Sequence, residues 1–303
     1  MAAKAMLTII WPGAAGVLQP INKVSWPPAL QKILNKSWFT ADPTDFTKLL
    51  LQQFGQPVAA DMPLAALRFP GETAICADLC YLHPDRGFLR LFHQDLQVSD
   101  GEASQLQASL AGLLDEVQGQ WLTFSAKHWG LRLPALPALQ FQAIDALEGL
   151  SISDKLPAGN DQNSWRRLLN EIQMTLFEHP VNQQREADGK LPVNAVWFSG
   201  AAPLAIRSNW QTVSGNDELL KQLATLTQTS LIESMDLDAL NGRSLLVLPP
   251  IDTHADWQNQ LQDLQQQVFK PLWQQLRSLK LSNVQLVVPA QGTYRLSRWR
   301  SWR

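Results

Sequence analysis

Cysteine is almost absent from this 303-residue chain, with Cys76 and Cys80 as the whole complement. Two thiols cannot build a disulfide scaffold, and a chain of this length can bury a sizeable core without one, which fits a reducing, cytoplasmic location. Any long apolar run is also missing. Met6 to Trp11 begins one, but Pro12 and Gly13 cut it off, and Lys4 is its only nearby charge. The segment is too short to span a bilayer and lacks the plan of a signal peptide, so no membrane is expected as a partner. Charge of one sign is lacking too. With 25 Lys and Arg against 27 Asp and Glu, the formal net charge is −2. That leaves no overall pull toward nucleic acid, whose binding needs a clustered basic surface. No Walker loop, GxGxxG, GxSxG or HExxH occurs, which removes common nucleotide, hydrolase and metalloprotease signatures. Tyrosine is rare, 2 residues against 12 Trp. Tryptophan fills cores and lines pockets alike, so its number selects neither role.

What is present is the patterning of an α/β protein. Met6 to Trp11 reads as a buried strand ending at a loop, the kind of junction where α/β proteins place ligands. Asp42 and Pro43 predict a helix start, running to Phe54 before Gly55. Ser99 with Glu102 forms a capping box for a helix carrying Leu106, Leu110 and Leu113. Thr73 to His83 and Gly87 to Phe92 read as paired strands, and Trp121 to Leu133 as another pair with His128 near its turn. Trp165, Leu168, Leu169, Ile172 and Leu176 follow helical spacing from Asn163 to Glu178, with Pro180 just beyond. Val193 to Phe198, Ser244 to Leu248 and Val284 to Val288 are apolar throughout and end at Gly or Pro, as central parallel strands do. A long helix from His254 to Leu279 connects the last two, implying a right-handed parallel unit. The expected organisation is a core of residues 1–75 and 190–303, a mostly parallel sheet flanked by helices, with an inserted α+β domain of residues 76–189.

The densest polar stretch runs from His179 to Gly200 and gathers His179, Asn182, Arg185, Lys190 and Asn194 in or near one loop. Those donors and positive charges suit a phosphate or carboxylate, so they are the candidate ligand-binding residues for a small anionic metabolite. The alternative is that Asn182 and Arg185 tie the loop to nearby backbone carbonyls while Lys190 is solvated. The run HPVN..R...GK.PVNAVW..G is similar to a signature of the archaeal-type cofactor-independent phosphoglycerate mutases of the alkaline phosphatase superfamily. The segments ETAICADLCYLHPDRGFLRL, SDGEASQLQASL, LPAGND, LLVLPPIDTH and VQLVVPAQG follow in the same order across most of residues 70 to 295. The form around His179 to Gly200 most resembles a bacterial branch of RpfE-type regulatory proteins. The resemblance implies an alkaline-phosphatase-like core.

Departures from that family decide the expected chemistry. Its enzymes hold two divalent metals with Asp and His at strand ends, and a Ser or Thr nucleophile attacks the phosphate between them. Where the first strand of the family ends in Asp-Gly, this chain has Ile10, Trp11, Pro12 and Gly13. Where the last ends in Asp-His, it has Val288, Pro289, Ala290 and Gln291. Asp252 and His254 stand near a third metal-binding element, but two residues cannot hold two metals and the pair also fits a helix cap. An Arg-x-Asn substrate element is replaced by Cys76, Ala77 and Asp78, which should repel phosphate. The resemblance therefore implies a regulatory protein without phosphoryl transfer and without a cofactor, binding a small anion or a protein partner. The competing reading is an active phosphomutase or phosphatase drawing ligands from Asp61, Asp78, Asp252 and His254.

Two other groupings remain. Cys76, Cys80, His83 and His93 form an acceptable zinc set, but a strand separates Cys76 from Cys80 by about 13 Å, too far to share one ion. Arg295 to Arg303 interleaves Arg298, Arg300 and Arg303 with Trp299 and Trp302. That tail could stack on nucleic acid, or form an edge strand with Trp inward and Arg outward, as the alternation favours.

Overall fold

The computed structural model describes residues 5–18, 26–251 and 257–302. The chain forms two compact units, Met1–Val58 with Ala205–Arg303, and Ala59–Leu204. The first unit begins with β1 (Ala5–Ile10), α1 (Ala14–Val17), α2 (Pro28–Lys36), β2 (Trp38–Ala41) and α3 (Phe46–Gln53). In the second unit follow α4 (Leu64–Arg68), β3 (Ala74–Asp85), β4 (Phe88–Phe92), α5 (Asp100–Ser109), β5 (Gln120–Thr123) and β6 (His128–Arg132). It continues with β7 (Leu139–Gln140), β8 (Ala158–Gly159), α6 (Gln162–Phe177), α7 (Pro180–Ala187) and β9 (Ala195–Ser199). The first unit resumes with β10 (Thr212–Ser214), α8 (Glu218–Leu226), β11 (Ser230–Ile232), β12 (Arg243–Val247) and α9 (Trp257–Leu264). It closes with α10 (Lys270–Arg277), β13 (Leu281–Val288), β14 (Gly292–Ser297) and α11 (Arg298–Trp302).

The first unit is built on a seven-stranded sheet in the order β11-β10-β12-β1-β13-β14-β2. Its first five strands are parallel and the last two pairings antiparallel, so the expected mostly parallel sheet with flanking helices is present. Leu7 and Ile9 of β1 join Leu246, Leu286 and the helix residues Leu261, Val268 and Leu272 in one core. The predicted single helix to Leu279 contains a π-helical turn, Gln265–Phe269, just before Pro271. Proline supplies no N–H to the preceding turn, and widening that turn absorbs the loss.

The second unit holds a five-stranded antiparallel sheet. Strand β3 pairs with β6 on one side and with β9 on the other, β5 extends β6, and β4 pairs with the far end of β3. Trp165, Leu168, Ile172 and Leu176 of α6 pack on Ile75, Leu131 and Phe198, each contributing about 1.5–3 kcal/mol by burial.

Several expectations change. The apolar run at Val193 to Phe198 gives β9, but its partner is the antiparallel β3 and not the central parallel sheet. Its uniform apolarity reports burial on both faces, with Phe198 toward α6 and Trp197 toward Leu82 and Leu91, and says nothing of strand direction. That pairing carries residues 59–75 and 190–204 into the second unit. Asp45, not Asp42, caps α3, its side chain accepting from Lys48 N at 2.9 Å. The tail after Ser297 is the short helix α11, and β14 before it lies inside the sheet. Among the described residues no helix is long and apolar enough to cross a membrane.

Gly130 on β6 marks the tightest backbone approach in the second sheet, since a Cβ there would lie 2.3 Å from Phe69. Gly130→Ala should lower stability by about 1–3 kcal/mol in urea denaturation. Gly101→Ala, in open space on α5, should be neutral or stabilising by up to about 1 kcal/mol.

Candidate functional site

Strands β1, β10, β11 and β12 of the first unit open their carboxyl ends on a cleft. The connection β10-α8-β11 runs one way along the sheet and β12-α9-α10-β13 the other. The reversal falls between β10 and β12, where open α/β sheets bind ligands. Here Gly215 to Glu218 follow β10, Glu233 to Met235 follow β11, and Leu248 to Pro250 follow β12, enclosing about 670 Å³ together with Pro12 and Phe46. Gly215, with φ 139°, admits this close approach, because a Cβ would sit 2.6 Å from Val247 O. Asp217 caps α8 by accepting from Leu220 N at 2.9 Å. Lys221 reaches Glu218 at 3.1 Å and Glu233 at 3.9 Å, and Ser214 Oγ donates to Ser234 O.

The lining is apolar with a carboxylate rim that Lys221 touches from outside, and among the described residues no Lys, Arg or His lines it. Such a surface stabilises a ligand with an apolar body and hydrogen-bond donors, and disfavours a phosphate. Nor do the strand mouths fit a pair of divalent metals. Trp11, at the end of β1, is wholly buried with its ring 5.3 Å from that of Phe269. Leu248, Pro249 and Pro250 follow β12, and Pro289 to Gln291 follow β13. Among the described residues no three His, Cys, Asp or Glu side chains converge as a metal site. Asp252 and His254 lie outside the described residues.

The His179 to Gly200 stretch is not one loop, because Pro180 opens α7 and does not merely end α6. His179 is the cap of α7, its Nδ1 accepting from Val181 N at 3.2 Å, and burial lowers its pKa. Asn182 is buried; its amide donates to Leu176 O (2.7 Å) and Val193 O (2.8 Å) and accepts from Val193 N (2.8 Å). Arg185, also buried, donates to Leu191 O, Gln97 O and the Glu102 carboxylate at 2.8, 2.8 and 2.9 Å. Asn194 pairs with both backbone groups of Leu82, at 2.7 and 3.0 Å. Lys190 is exposed, 3.8 Å from Asp188. The polar atoms of Asn182, Arg185 and Asn194 are thus engaged with protein backbone.

On the face of β3 turned away from α6 lies a cluster that joins Asp78, named with Asp61 in the competing reading, to Arg68 and His128, which the sequence did not group with it. Asp78, fully buried, accepts from Arg68 at 2.6 Å and meets His128 Nδ1 at 2.9 Å, and its second oxygen has no partner. Asp61 accepts from Gly200 N and Ala201 N, both at 2.8 Å, while burial raises its pKa. Burial pushes the Cys76 thiol up to about 12, and that of Cys80 upward as well, which holds both as protonated thiols of low reactivity. His83 instead meets Tyr81 Oη at 2.9 Å, and the ring of His93 lies 3.4 Å from Asp145 and 3.5 Å from Glu148. Residues 68, 78 and 128 are far apart in sequence, so only the strand pairing Asp78↔His128 reveals the group. The acidic cleft rim was missed because β10 and β11 are three residues each; the one available signal was Gly215 followed by the cap Asp217.

No protein-family model matches the chain. Among curated proteins, it is similar to a 2,3-bisphosphoglycerate-independent phosphoglycerate mutase of Methanothrix thermoacetophila, 33% identical over 67 residues. That match spans 22% of this chain and only 17% of the relative's length. Among solved structures, a cofactor-independent phosphoglycerate mutase from Thermoplasma acidophilum aligns over 98% of this chain and 90% of its own, with TM-score 0.44 and 14% identity. A protein from Pyrococcus horikoshii aligns over 98% and 88%, with TM-score 0.48 and 11% identity.

Asn182→Ala should cost about 2–4 kcal/mol, since three backbone groups lose their partner in a buried setting, whereas Lys190→Ala should stay within about 0.5 kcal/mol; thermal unfolding reads both. Burial lowers the pKa of His93 despite the Asp145 and Glu148 carboxylates, with Lys127 acting in the same sense as burial. Its contribution to stability is therefore full above the ordinary histidine value of about 6.5 and is lost as pH falls below it, by at most about 1.4 kcal/mol per pH unit. His93→Gln should flatten that slope in urea titrations between pH 7 and 5.

Proposed function

We propose that this chain is a catalytically silent relative of the cofactor-independent phosphoglycerate mutases, with an alkaline-phosphatase-like core, acting in regulation by binding. The observation that carries this reading is the chemistry at the strand mouths: Trp11 and Pro12 after β1, Pro249 and Pro250 after β12, Pro289 and Ala290 after β13. Two divalent cations require several anionic or imidazole ligands converging on them. The active-enzyme reading would draw on Asp61 and Asp78, but the first is held by the Gly200 and Ala201 amides and the second by Arg68 and His128. The partial similarity to the Methanothrix enzyme supports the ancestry, and the His179 to Gly200 run supports an RpfE-type, bacterial regulatory role. Cys76 and Cys80, both unpaired thiols, support a cytoplasmic location.

Of the two partner classes, a protein receives more support than a small anion. The cleft rim carries Asp217, Glu218 and Glu233, the last two paired with Lys221, and no cation lines it among the described residues, while Arg185 is engaged elsewhere.

Metal analysis and turnover of the purified protein test this reading. The expected result is substoichiometric manganese and zinc, no interconversion of phosphoglycerate isomers in added Mn²⁺, and no thermal stabilisation by 3-phosphoglycerate. One or more tightly held ions per chain, together with turnover, would overturn it.

A further inference from the structure

Among the described residues, strand β2 is the outermost strand of the seven-stranded sheet and pairs on one side only, with β14. In an antiparallel ladder, alternate residues of such a strand aim N–H and C=O groups outward, ready to pair with another chain. Proteins usually guard such edges with lysine, proline or inward charges. This one is Trp-Phe-Thr-Ala, exposed along its whole length, with Trp38 68% and Phe39 48% exposed.

Its surroundings are basic. The Arg300 guanidinium lies 4.2 Å from the Trp38 ring centre, and Arg295 donates to Thr40 Oγ1 at 3.1 Å. Next along α11, Arg298 lies 4.8 Å from the ring of Trp299, which is 71% exposed. Lys36 closes α2 just before the strand, 5.7 Å from the ring of Trp273. Among the described residues none of these four cations has a carboxylate partner. At the far end of the strand, Asp42 and Asp45 accept from Thr44 N and Lys48 N, so the strand is cationic at its Trp38 end.

We propose that the edge of β2 docks an acidic, extended segment of a partner protein, which adds one strand to the sheet. The outward backbone groups supply the pairing, Trp38 and Phe39 supply apolar contact on opposite faces, and the arginines select carboxylates. A second copy of this chain would present only the same four-residue strand, and its pairing is the competing outcome that sedimentation reads. Single-stranded nucleic acid would use the tryptophans and arginines but leave the backbone groups unpaired, and one face of Trp38 is already taken by Arg300. The proposal stands whether or not the cleft turns over a substrate.

The experiment uses the full chain and a fluorescein-labelled decapeptide alternating glutamate with valine. Its comparators are the same peptide N-methylated at two backbone positions, a lysine-for-glutamate version, and labelled oligothymidylate. Saturable binding of the glutamate peptide is expected, weakened by salt, by Arg300→Ala and by Arg298→Ala, with melting temperatures confirming that both variants fold. N-methylation should weaken it roughly tenfold by removing two N–H donors. The proposal fails if the glutamate peptide does not bind, if the N-methylated or lysine peptide binds equally, or if oligothymidylate binds more tightly. It also fails if the protein sediments as a dimer that Phe39→Glu dissolves, which would make the occupant a second copy.

Discussion

Strand β1 is paired along its length with β12 on one side and β13 on the other, and Ile9, Ile10 and Trp11 are wholly buried at its carboxyl end. A carboxylate at that point, without a metal or cation to pair it, would carry a desolvation cost of several kcal/mol. An indole there instead adds to the core through Phe269. Hydrophobic closure of the strand end therefore leaves that mouth without a carboxylate. The same logic extends to β12 and β13, whose ends continue into prolines that have no side chain able to ligate and no N–H to donate.

The second unit shows how polar residues can be dense in sequence yet unavailable to a ligand. Glu102 caps α5 by accepting from Ser99 N at 2.8 Å, and with its other oxygen receives Arg185 from α7. Asn182 ties the end of α6 to the residue leading into β9, and Asn194 fastens β9 to Leu82 of β3. Buried amide and guanidinium groups are costly unless every donor is met. The connection between α6 and β9 meets that demand partly with its own backbone and partly with Gln97, Glu102 and Leu82.

Sequence patterning was most readable where one periodicity met one boundary signal. The Ser99 and Glu102 capping box, the apolar stripe of α6 and the strands ending at Gly or Pro all appear as read. Direction and pairing were not readable, because they depend on partners distant in the chain: β9 is as apolar as a parallel strand yet pairs antiparallel with β3. Pro180 carried two meanings, ending one helix and opening the next, and spacing alone could not choose. Strands β10 and β11 are too short to leave a period, so the acidic rim of the cleft was hidden with them. Of the residues lining the cleft, Pro12 was read at a strand-to-loop junction, whereas Asp217 and Glu233 needed the fold.

A net charge of −2 conceals a separation of charge across one sheet. The cleft gathers carboxylates at the ends of β10 and β11, and β2 gathers arginines at the opposite edge. From β10 to β2 there are five strand spacings of about 4.8 Å, roughly 24 Å, beyond the screening length of about 8 Å at physiological salt. Fields from exposed groups on the two sides therefore barely meet in solution. A partner approaching β2 experiences the local cations and not the chain's overall sign, while a ligand entering the cleft meets a rim of three carboxylates, two of them paired with Lys221. Charge that nearly cancels in the sum can in this way define two surfaces of opposite preference.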